Sequence, residues 1–495
     1  MLYKSRSFTV SSAEGHGAVK VSIIGIGKLG ASIAAAIASC GSQVVCVDVN
    51  QNQIDMLNAG LAPVQEPSLP ETISAHRANL RATSDYRDAI HNSEVTFVFV
   101  PTPSDAHGAF TIQNVAKAFE EIGRALATKN RYHLVALGST VLPGSTRFGL
   151  LPILERTSGK VCGKDFGLCY NPEFVALGSV IHDFLNPDMV MIGEFDTRSG
   201  AGLEEWWHHH LQTNTSIRRM SLENAELAKI AANNYLTVKI TFANMLAELC
   251  QQMPGGNVDV VTNALGLDRR IGSRFLTGGL GYGGPCFPRD TAAMGFLSRL
   301  LRTPSGPIDA VADFNRGMPK RVVRQISSVL RPGARVAVLG LSYKPMTPEI
   351  VESQSIALAL EVIAAGCRVC AYDPLAGGRA KTELGNLIEI AVSIPQCLEG
   401  AEFVLVTTAD PAFRSLTAAD FSGAANPVTV LDFWRMLDPE LRGYTHINYI
   451  PYGSNLDGEA NTGILARYWE ASAAGRETGY SLLSSADVTT RFEGG

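Results

Sequence analysis

The chain has 495 residues, of which 46% are hydrophobic and 18% charged, and its formal net charge is −5. That balance excludes a largely disordered chain and gives no global attraction to polyanions, so neither nucleic acid nor a membrane surface is an expected partner. The length calls for two or three domains, and the expected ligands are small molecules.

Residues 1–18, MLYKSRSFTVSSAEGHGA, lack the continuous apolar stretch of a signal peptide and are set apart as an N-terminal extension. No uninterrupted apolar run of about 18 residues occurs, so no membrane span is predicted and a cytoplasmic location is expected. From Val19 the sequence VKVSIIGIGKLGASIAAAIASCGSQVVCVDVN reads as strand, glycine turn, small-residue helix and second strand ending at Asp48. Within it GIGKLG has GxGxxG spacing in the setting where that spacing carries weight. Gly25 permits the tight turn, Gly27 lets a pyrophosphate approach the backbone, and Gly30 allows close helix packing. The helix N-terminus at Lys28 and Leu29 offers amides to the phosphates. Asp48 accepts ribose hydroxyls and repels a 2′-phosphate, which favours NAD over NADP.

Further β-rich runs follow at EVTFVFVPTP (Glu94–Pro103), YHLVALGSTVLPG (Tyr132–Gly144), DFGLCYNPEF (Asp165–Phe174) and DMVMIGE (Asp188–Glu194). Apolar strands separated by helix-like spacers predict a mostly parallel sheet covered on both faces. Near Leu222 the pattern changes to almost thirty residues without Pro or Gly, which predicts one long helix. On it Lys229 and Asn233 are four residues apart and share a face, where an ammonium and an amide could stabilise a developing oxyanion. The alternative is a solvated surface lysine.

The stretch GGLGYGGPCFPRD (Gly278–Asp290) places Cys286 where neither helix nor strand is favoured. A buried structural thiol is the plain reading. Glycines that admit a ligand to the backbone, Arg289 nearby to favour thiolate, and Asp290 four residues on point instead to a nucleophile. After RPGARVAV strand patterns return: ARVAVLGLSYKP echoes VKVSIIGIGK, CRVCAYDP echoes VVCVDVN, and EFVLVTTADP echoes TFVFVPTP.

The predicted class is therefore α/β, with two Rossmann-like doubly wound domains joined by a long central helix and a small α-helical domain. The boundaries are 19–220 for the NAD-binding domain, 221–328 for the central helical domain, 329–465 for the second Rossmann-like domain, and 466–495 for a C-terminal tail. The nine scattered cysteines argue against a disulfide framework. Cys367 and Cys370 form a CxxC along an apparent strand, where buried hydrophobes are the better reading than a redox pair. The run His208, His209, His210 reads as helix surface, and no metal site is expected.

In order, GIGKLG with Asp48, VPTP (Val100–Pro103), STVLPG (Ser139–Gly144), NPEF (Asn171–Phe174), DFLNPD (Asp183–Asp188), AELAKIAANN (Ala225–Asn234), RIGSRFL (Arg270–Leu276), GYGGPCFPRD (Gly281–Asp290) and LGLSYKPMT (Leu339–Thr347) resemble the UDP-glucose/GDP-mannose dehydrogenase family over roughly residues 19–450. The resemblance implies oxidation of the C6 alcohol of a nucleotide-linked hexose to a carboxylate with two NAD⁺. It makes Cys286 the nucleophile, through a thiohemiacetal and a thioester, and Lys229 and Asn233 the oxyanion-stabilising pair. Asp290 with Thr140 organises a water and proton transfer, and Glu173 activates water for hydrolysis. Pro101, Thr102 and Thr140 line the cofactor. Phe174, Tyr282, Gly283, Gly284 and Lys344 contact the nucleotide-sugar, Arg270 reaches a neighbouring subunit's active site, and Arg435 meets the substrate phosphates. A homodimer or larger homo-oligomer through the central helical domain is implied.

Two positions depart from the family pattern. Leu177 stands where a carboxylate is usual, and Val351 where an arginine to the NAD phosphates is usual, a loss for which Arg289 could compensate. UDP-glucose to UDP-glucuronate is the leading reaction. The alternatives are the same chemistry on a UDP-N-acetylhexosamine, GDP-mannose or dTDP-glucose, and a non-catalytic NAD or nucleotide-sugar scaffold.

Overall fold

The structure, a computed structural model, describes residues 19–456, 458–459 and 461–475; the extension 1–18 and positions 476–495 of the expected tail lie outside the described residues. The chain divides into two compact units. One contains the chain up to Asn234 with Arg289–Ile308, the other Tyr235–Pro288 with the chain from Asp309 onward. The segment 221–328, read from sequence as a separate helical domain, is shared between them.

The first unit is built on eight strands: β1 Lys20–Ile24, β2 Gln43–Val47, β3 Leu80–Thr83, β4 Val95–Val98, β5 Leu134–Leu137, β6 Gly167–Tyr170, β7 Met189–Glu194 and β8 Ser216–Ser221. Their order in the sheet is β3-β2-β1-β4-β5-β6-β7-β8. All neighbours are parallel except β6 and β7. Every residue of β4, β5 and β6 is buried, as strands covered on both faces require. Strand order reverses between β1 and β4, so the crevice for a ligand opens beyond the carboxyl ends of those strands. GIGKLG, VPTP, STVLPG and NPEF are the segments that leave β1, β4, β5 and β6 at that end.

The second unit holds a six-stranded, all-parallel sheet of β9 Arg335–Leu339, β10 Arg368–Tyr372, β11 Glu389–Ile390, β12 Phe403–Val406, β13 Val428–Asp432 and β14 Ile447–Pro451, in the order β11-β10-β9-β12-β13-β14. The echo between lobes is physical. In the first unit Asp48 accepts the Ile26 N–H at 2.8 Å, and in the second Asp373 accepts the Leu341 and Ser342 N–H groups at 2.7 and 2.9 Å. Each acid at the end of the second strand fixes the turn after the first, and Gly25 (φ +93°) and Gly340 (φ +109°) provide the left-handed backbone there.

The predicted long helix runs from Leu222 to Gln252. A helix at Thr462–Ala473 occupies the start of the segment read as tail. His210, expected on a helix surface, is buried: its Nδ1–H donates to the Trp206 carbonyl at 2.8 Å, leaving Nε2 to accept from Ser42 Oγ at 2.8 Å. Cys367 and Cys370 are both buried at the β10 edge, as read.

A polar chain crosses the first core. Buried Lys129 donates to the Ile90 and Ser93 carbonyls and to His133 Nδ1 at 2.8 Å. His133 Nε2 therefore donates to Thr96 Oγ1 at 2.6 Å, and Thr96 meets Ser22 at 2.6 Å. Burial pushes the Lys129 amine down to about 8, and the His133 ring is held neutral by burial and the adjacent ammonium.

Candidate active site

The glycine turn fits a dinucleotide position by position. A Cβ on Gly25 would lie 2.4 Å from the Phe99 carbonyl oxygen, and one on Gly30 would lie 1.8 Å from the Gly25 carbonyl oxygen, so both glycines are demanded by packing. A Cβ on Gly27 would meet nothing within 4 Å. That open face lies at the N-terminus of the helix Lys28–Ser39, which has no side-chain cap and no acid in its first turn. A pyrophosphate would satisfy its amides. Asp48 keeps a partly exposed carboxylate whose oxygens each accept one amide, from Ile26 and from Asn50 at 2.9 Å, leaving lone pairs for ribose hydroxyls.

The loops beside this turn are stitched together. Ser139 Oγ accepts the Val100 N–H at 2.9 Å and donates to the Val100 carbonyl at 2.7 Å, while Thr102 Oγ1 donates to the Thr140 carbonyl at 2.7 Å. Asn114 holds the Pro101 carbonyl at 3.0 Å.

The long helix presents its predicted face to the NPEF loop and to Asp290. The Lys229 ammonium donates to the Glu173 carbonyl, stands 4.0 Å from Glu173 Oε1 and lies 4.6 Å above the Phe174 ring centroid. Its side chain is only 8% exposed, so the solvated-lysine alternative fails. One turn on, Asn233 Nδ2 donates to Asp290 Oδ2 at 2.6 Å, and Asn234 donates to the Asp290 carbonyl at 3.0 Å. Asp290 is fully buried; Arg289 reaches its other oxygen at 3.2 Å and covers the Phe110 ring at 4.7 Å. Glu173 Oε2 accepts the Val175 N–H at 2.8 Å. Thus Lys229 with Glu173 and Phe174, and Asn233 with Asp290, form two polar groupings one helical turn apart in the first unit. A positive group, an amide and two carboxylates are all held by partners, which is the preorganisation that stabilises developing charge.

Cys286, Tyr282–Gly284, Arg270, Lys344 and Arg435 belong to the second unit. Cys286 is exposed and directly precedes the helix Phe287–Leu300, whose N-terminal amides attract negative charge. The glycines before it are required by packing. A Cβ on Gly283 would lie 2.2 Å from the Glu352 carbonyl oxygen, and one on Gly284 2.5 Å from the Tyr343 ring. The Tyr282 N–H and C=O are both bonded to Asn315 at 2.9 Å, and the Gly284 N–H to the Val351 carbonyl at 2.9 Å. The run is a closely packed strap that fixes the thiol's position. Lys344 stands 5.7 Å over the Tyr343 ring, and the exposed Arg270 pairs with Asp268.

Arg435 must be reassigned. It is buried, and its five N–H donors go to both oxygens of Asp259 and to the Gly278, Phe433 and Tyr452 carbonyls, at 2.7–2.8 Å. With every donor committed it ties the second unit together and has none left for a phosphate. At the two departures, Leu177 packs on the first core, and the amides of Gly178 and Val180 after it are taken by buried Glu66 at 2.8 and 3.0 Å. Val351 serves through its carbonyl, as above.

Sequence reading missed Glu66 and Glu226. Glu226 is the fully buried acid one turn before Lys229, and it accepts the Gly144 and Thr146 amides at 2.6 and 2.8 Å. A single acid in the apolar run AELAKIAA was the available signal.

Comparison with known proteins gives three consecutive matches, to the NAD binding domain (residues 19–211), the central domain (223–317) and the UDP binding domain (337–439) of the UDP-glucose/GDP-mannose dehydrogenase family. A UDP-glucose 6-dehydrogenase of Haloferax volcanii is 37% identical over 402 residues, covering 80% of this chain and 93% of its own. A GDP-mannose 6-dehydrogenase of Pseudomonas putida is 31% identical over 413 residues, covering 80% and 93%. The solved UDP-glucose dehydrogenase of Pyrobaculum islandicum superposes with a TM-score of 0.80 at 30% identity, covering 89% of this chain and 99% of its own. With the open glycine turn, Asp48 and the Lys229 cluster in place, the chain belongs to the UDP-glucose/GDP-mannose dehydrogenase family and is an NAD-dependent nucleotide-sugar dehydrogenase.

Proposed function

We propose that the protein oxidises the C6 hydroxymethyl of UDP-glucose to the carboxylate of UDP-glucuronate, in two two-electron steps. The observation that carries this reading is the Lys229–Glu173 and Asn233–Asp290 pairing, a buried arrangement that ligand binding alone does not call for. NAD⁺, when bound, accepts a hydride from C6 at each oxidation. The alcohol first loses a proton and a hydride to give the aldehyde. Cys286 adds through sulfur to the carbonyl carbon, the oxygen takes the thiol proton, and Lys229 and Asn233 stabilise the oxyanion character of that oxygen. Loss of a second proton and hydride from the thiohemiacetal gives a thioester. Water, activated by Glu173 and ordered by Asp290 and Thr140, attacks the thioester carbon and releases the carboxylate and the Cys286 thiol. The sum is one alcohol, one water and two NAD⁺ giving one carboxylate, two NADH and three protons.

Lys344, Phe174 and the strap at Tyr282–Gly284 are assigned to shaping the nucleotide-sugar site by family similarity. Exposed Tyr235, Phe242 and Leu249 on the long helix support a homo-oligomer through that face, with Arg270 reaching across. Nine cysteines without a disulfide support a cytoplasmic location. No helix among the described residues is long and apolar enough to cross a membrane.

The test is a panel of UDP-, GDP- and dTDP-sugars assayed for NADH per sugar consumed, with NADP⁺ as a comparison. A ratio near two with UDP-glucose best and NAD⁺ preferred is the expected result. A ratio near one would remove the acid-forming chemistry, and a different best sugar would reassign the substrate.

A further inference from the structure

The buried carboxylate of Glu226 is unused by the reaction above, yet it sits at the junction of the elements that the reaction needs. It projects from the long helix one turn before Lys229 and takes the Gly144 N–H on one oxygen, at 2.6 Å, and the Thr146 N–H on the other, at 2.8 Å. Those amides belong to the turn that closes STVLPG. Gly144 is in the left-handed region (φ +90°) and precedes the helical turn Ser145–Leu150, which has no side-chain cap of its own. Glu226 supplies that cap from a distant element. Behind the turn, Ser139 and Thr140 hold the VPTP loop through Val100 and Thr102.

We propose that Glu226 is a positioning residue that sets the register of the post-β5 loop, and through it the VPTP loop, against the helix carrying Lys229 and Asn233. The consequence is coupling: the cofactor side of the site and the oxyanion-stabilising side are locked by one carboxylate. Lys229 and Asn233 cannot do this, because their bonds go to Glu173 and Asp290. The groups facing Glu226 are Glu223 on its own helix, itself paired with Arg147 from the capped turn, and the buried Tyr170 at the end of β6. No cation contacts the carboxylate in the described structure, and burial pushes its carboxyl up to about 7. Uptake of a proton would weaken one of its two acceptors near pH 7.

The inference rests on the dehydrogenase reading, and the test separates the two. Glu226→Gln places an amide nitrogen, which cannot accept, against one of the loop N–H groups. Measured by calorimetry without sugar, its Kd for NAD⁺ should rise at least fivefold. Its kcat should fall at least tenfold, while KM for the nucleotide-sugar changes less than threefold and the circular dichroism spectrum is retained. Glu226→Asp, which keeps both acceptors, should recover part of each loss. The wild-type Kd for NAD⁺ should weaken as pH falls through about 7, whereas that of Glu226→Gln should stay flat. If Glu226→Gln does not fold, Thr146→Pro deletes one N–H from the loop side and should raise the Kd for NAD⁺ in the same way. Wild-type Kd and kcat in Glu226→Gln, or in Thr146→Pro, would overturn the inference. Failure of the wild-type protein to oxidise any nucleotide-sugar would overturn the reaction but leave the NAD⁺ measurements to judge Glu226.

Discussion

Replacing Lys229 with methionine separates a structural lysine from one that stabilises charge. The ammonium is nearly enclosed, and its removal leaves the Glu173 carbonyl without its donor and the Phe174 ring without its cation. A lost charged hydrogen bond to a buried carbonyl costs about 1–3 kcal/mol, and a lost cation–π contact about 0.5–2 kcal/mol. Methionine avoids burying an ammonium, which offsets part of this. The net is roughly 1–2 kcal/mol, or a Tm lower by about 2–8 °C at roughly 2–4 °C per kcal/mol. Loss of an oxyanion-stabilising donor costs about 10²–10³ in kcat. A domain with about 5–15 kcal/mol of stability remains folded after such a loss, so unfolding cannot produce that fall in kcat. NADH formation at saturating sugar, measured beside a thermal melt, decides between the roles. A kcat within threefold of wild type alongside the lowered Tm would refute the catalytic role.

The other predictions concern the frame around the site. Gly27→Ala points a methyl into open space, so the variant should fold normally and bind NAD⁺ at least tenfold more weakly; Gly30→Ala, driven into the Gly25 carbonyl, should lower Tm as well, and equal melts and affinities for the two would contradict the turn assignment. Lys129 is held at about 8 against an ordinary value of 10.5, so the unfolded chain keeps its proton to higher pH and stability rises between those values. Urea midpoints should show that rise in wild type and a flatter profile in Lys129→Met; parallel profiles would show that Lys129 does not carry it. Arg435→Met leaves three carbonyls without their donor, while the partly exposed Asp259 is solvated, and should destabilise the second unit by about 1–3 kcal/mol per carbonyl left unsatisfied, with the Kd for NAD⁺ within twofold. A raised sugar KM at unchanged Tm would restore a phosphate-binding role.

The parts of the fold that were legible in the sequence are those where one physical demand dominates. The buried parallel strands must be continuously apolar, and the turns after β1 and β9 need a glycine at positive φ followed about one βα unit later by an acid that ties the turn down. β8, with sequence SIRRMS, was not legible because an edge strand with no fully buried residue needs no apolar pattern. The antiparallel pairing of β6 with β7 leaves no local signal either. Lys229 and Asn233 were visible because helical spacing puts them on one face. Arg435 was misread, and the glycine strap proved to be demanded by packing, for a common reason. Basic residues and glycines mark ligand sites and internal packing alike, and only the partners in space distinguish an arginine with all donors committed from one available to a phosphate. Glu226 was missed because its partners are backbone amides some eighty residues away, |i−j| of 82 and 80, which no sequence pattern records.

In the proposed reaction the sulfur of Cys286 bonds to the sugar carbon while that carbon is being oxidised. Rapid quenching of the enzyme during turnover with UDP-glucose and NAD⁺, followed by peptide mass analysis, reads this out directly. A sugar-nucleotide thioester on the peptide containing Cys286, absent from Cys286→Ser, is the predicted result. Steady uronate production by Cys286→Ser, with no adduct on the wild-type peptide, would contradict it.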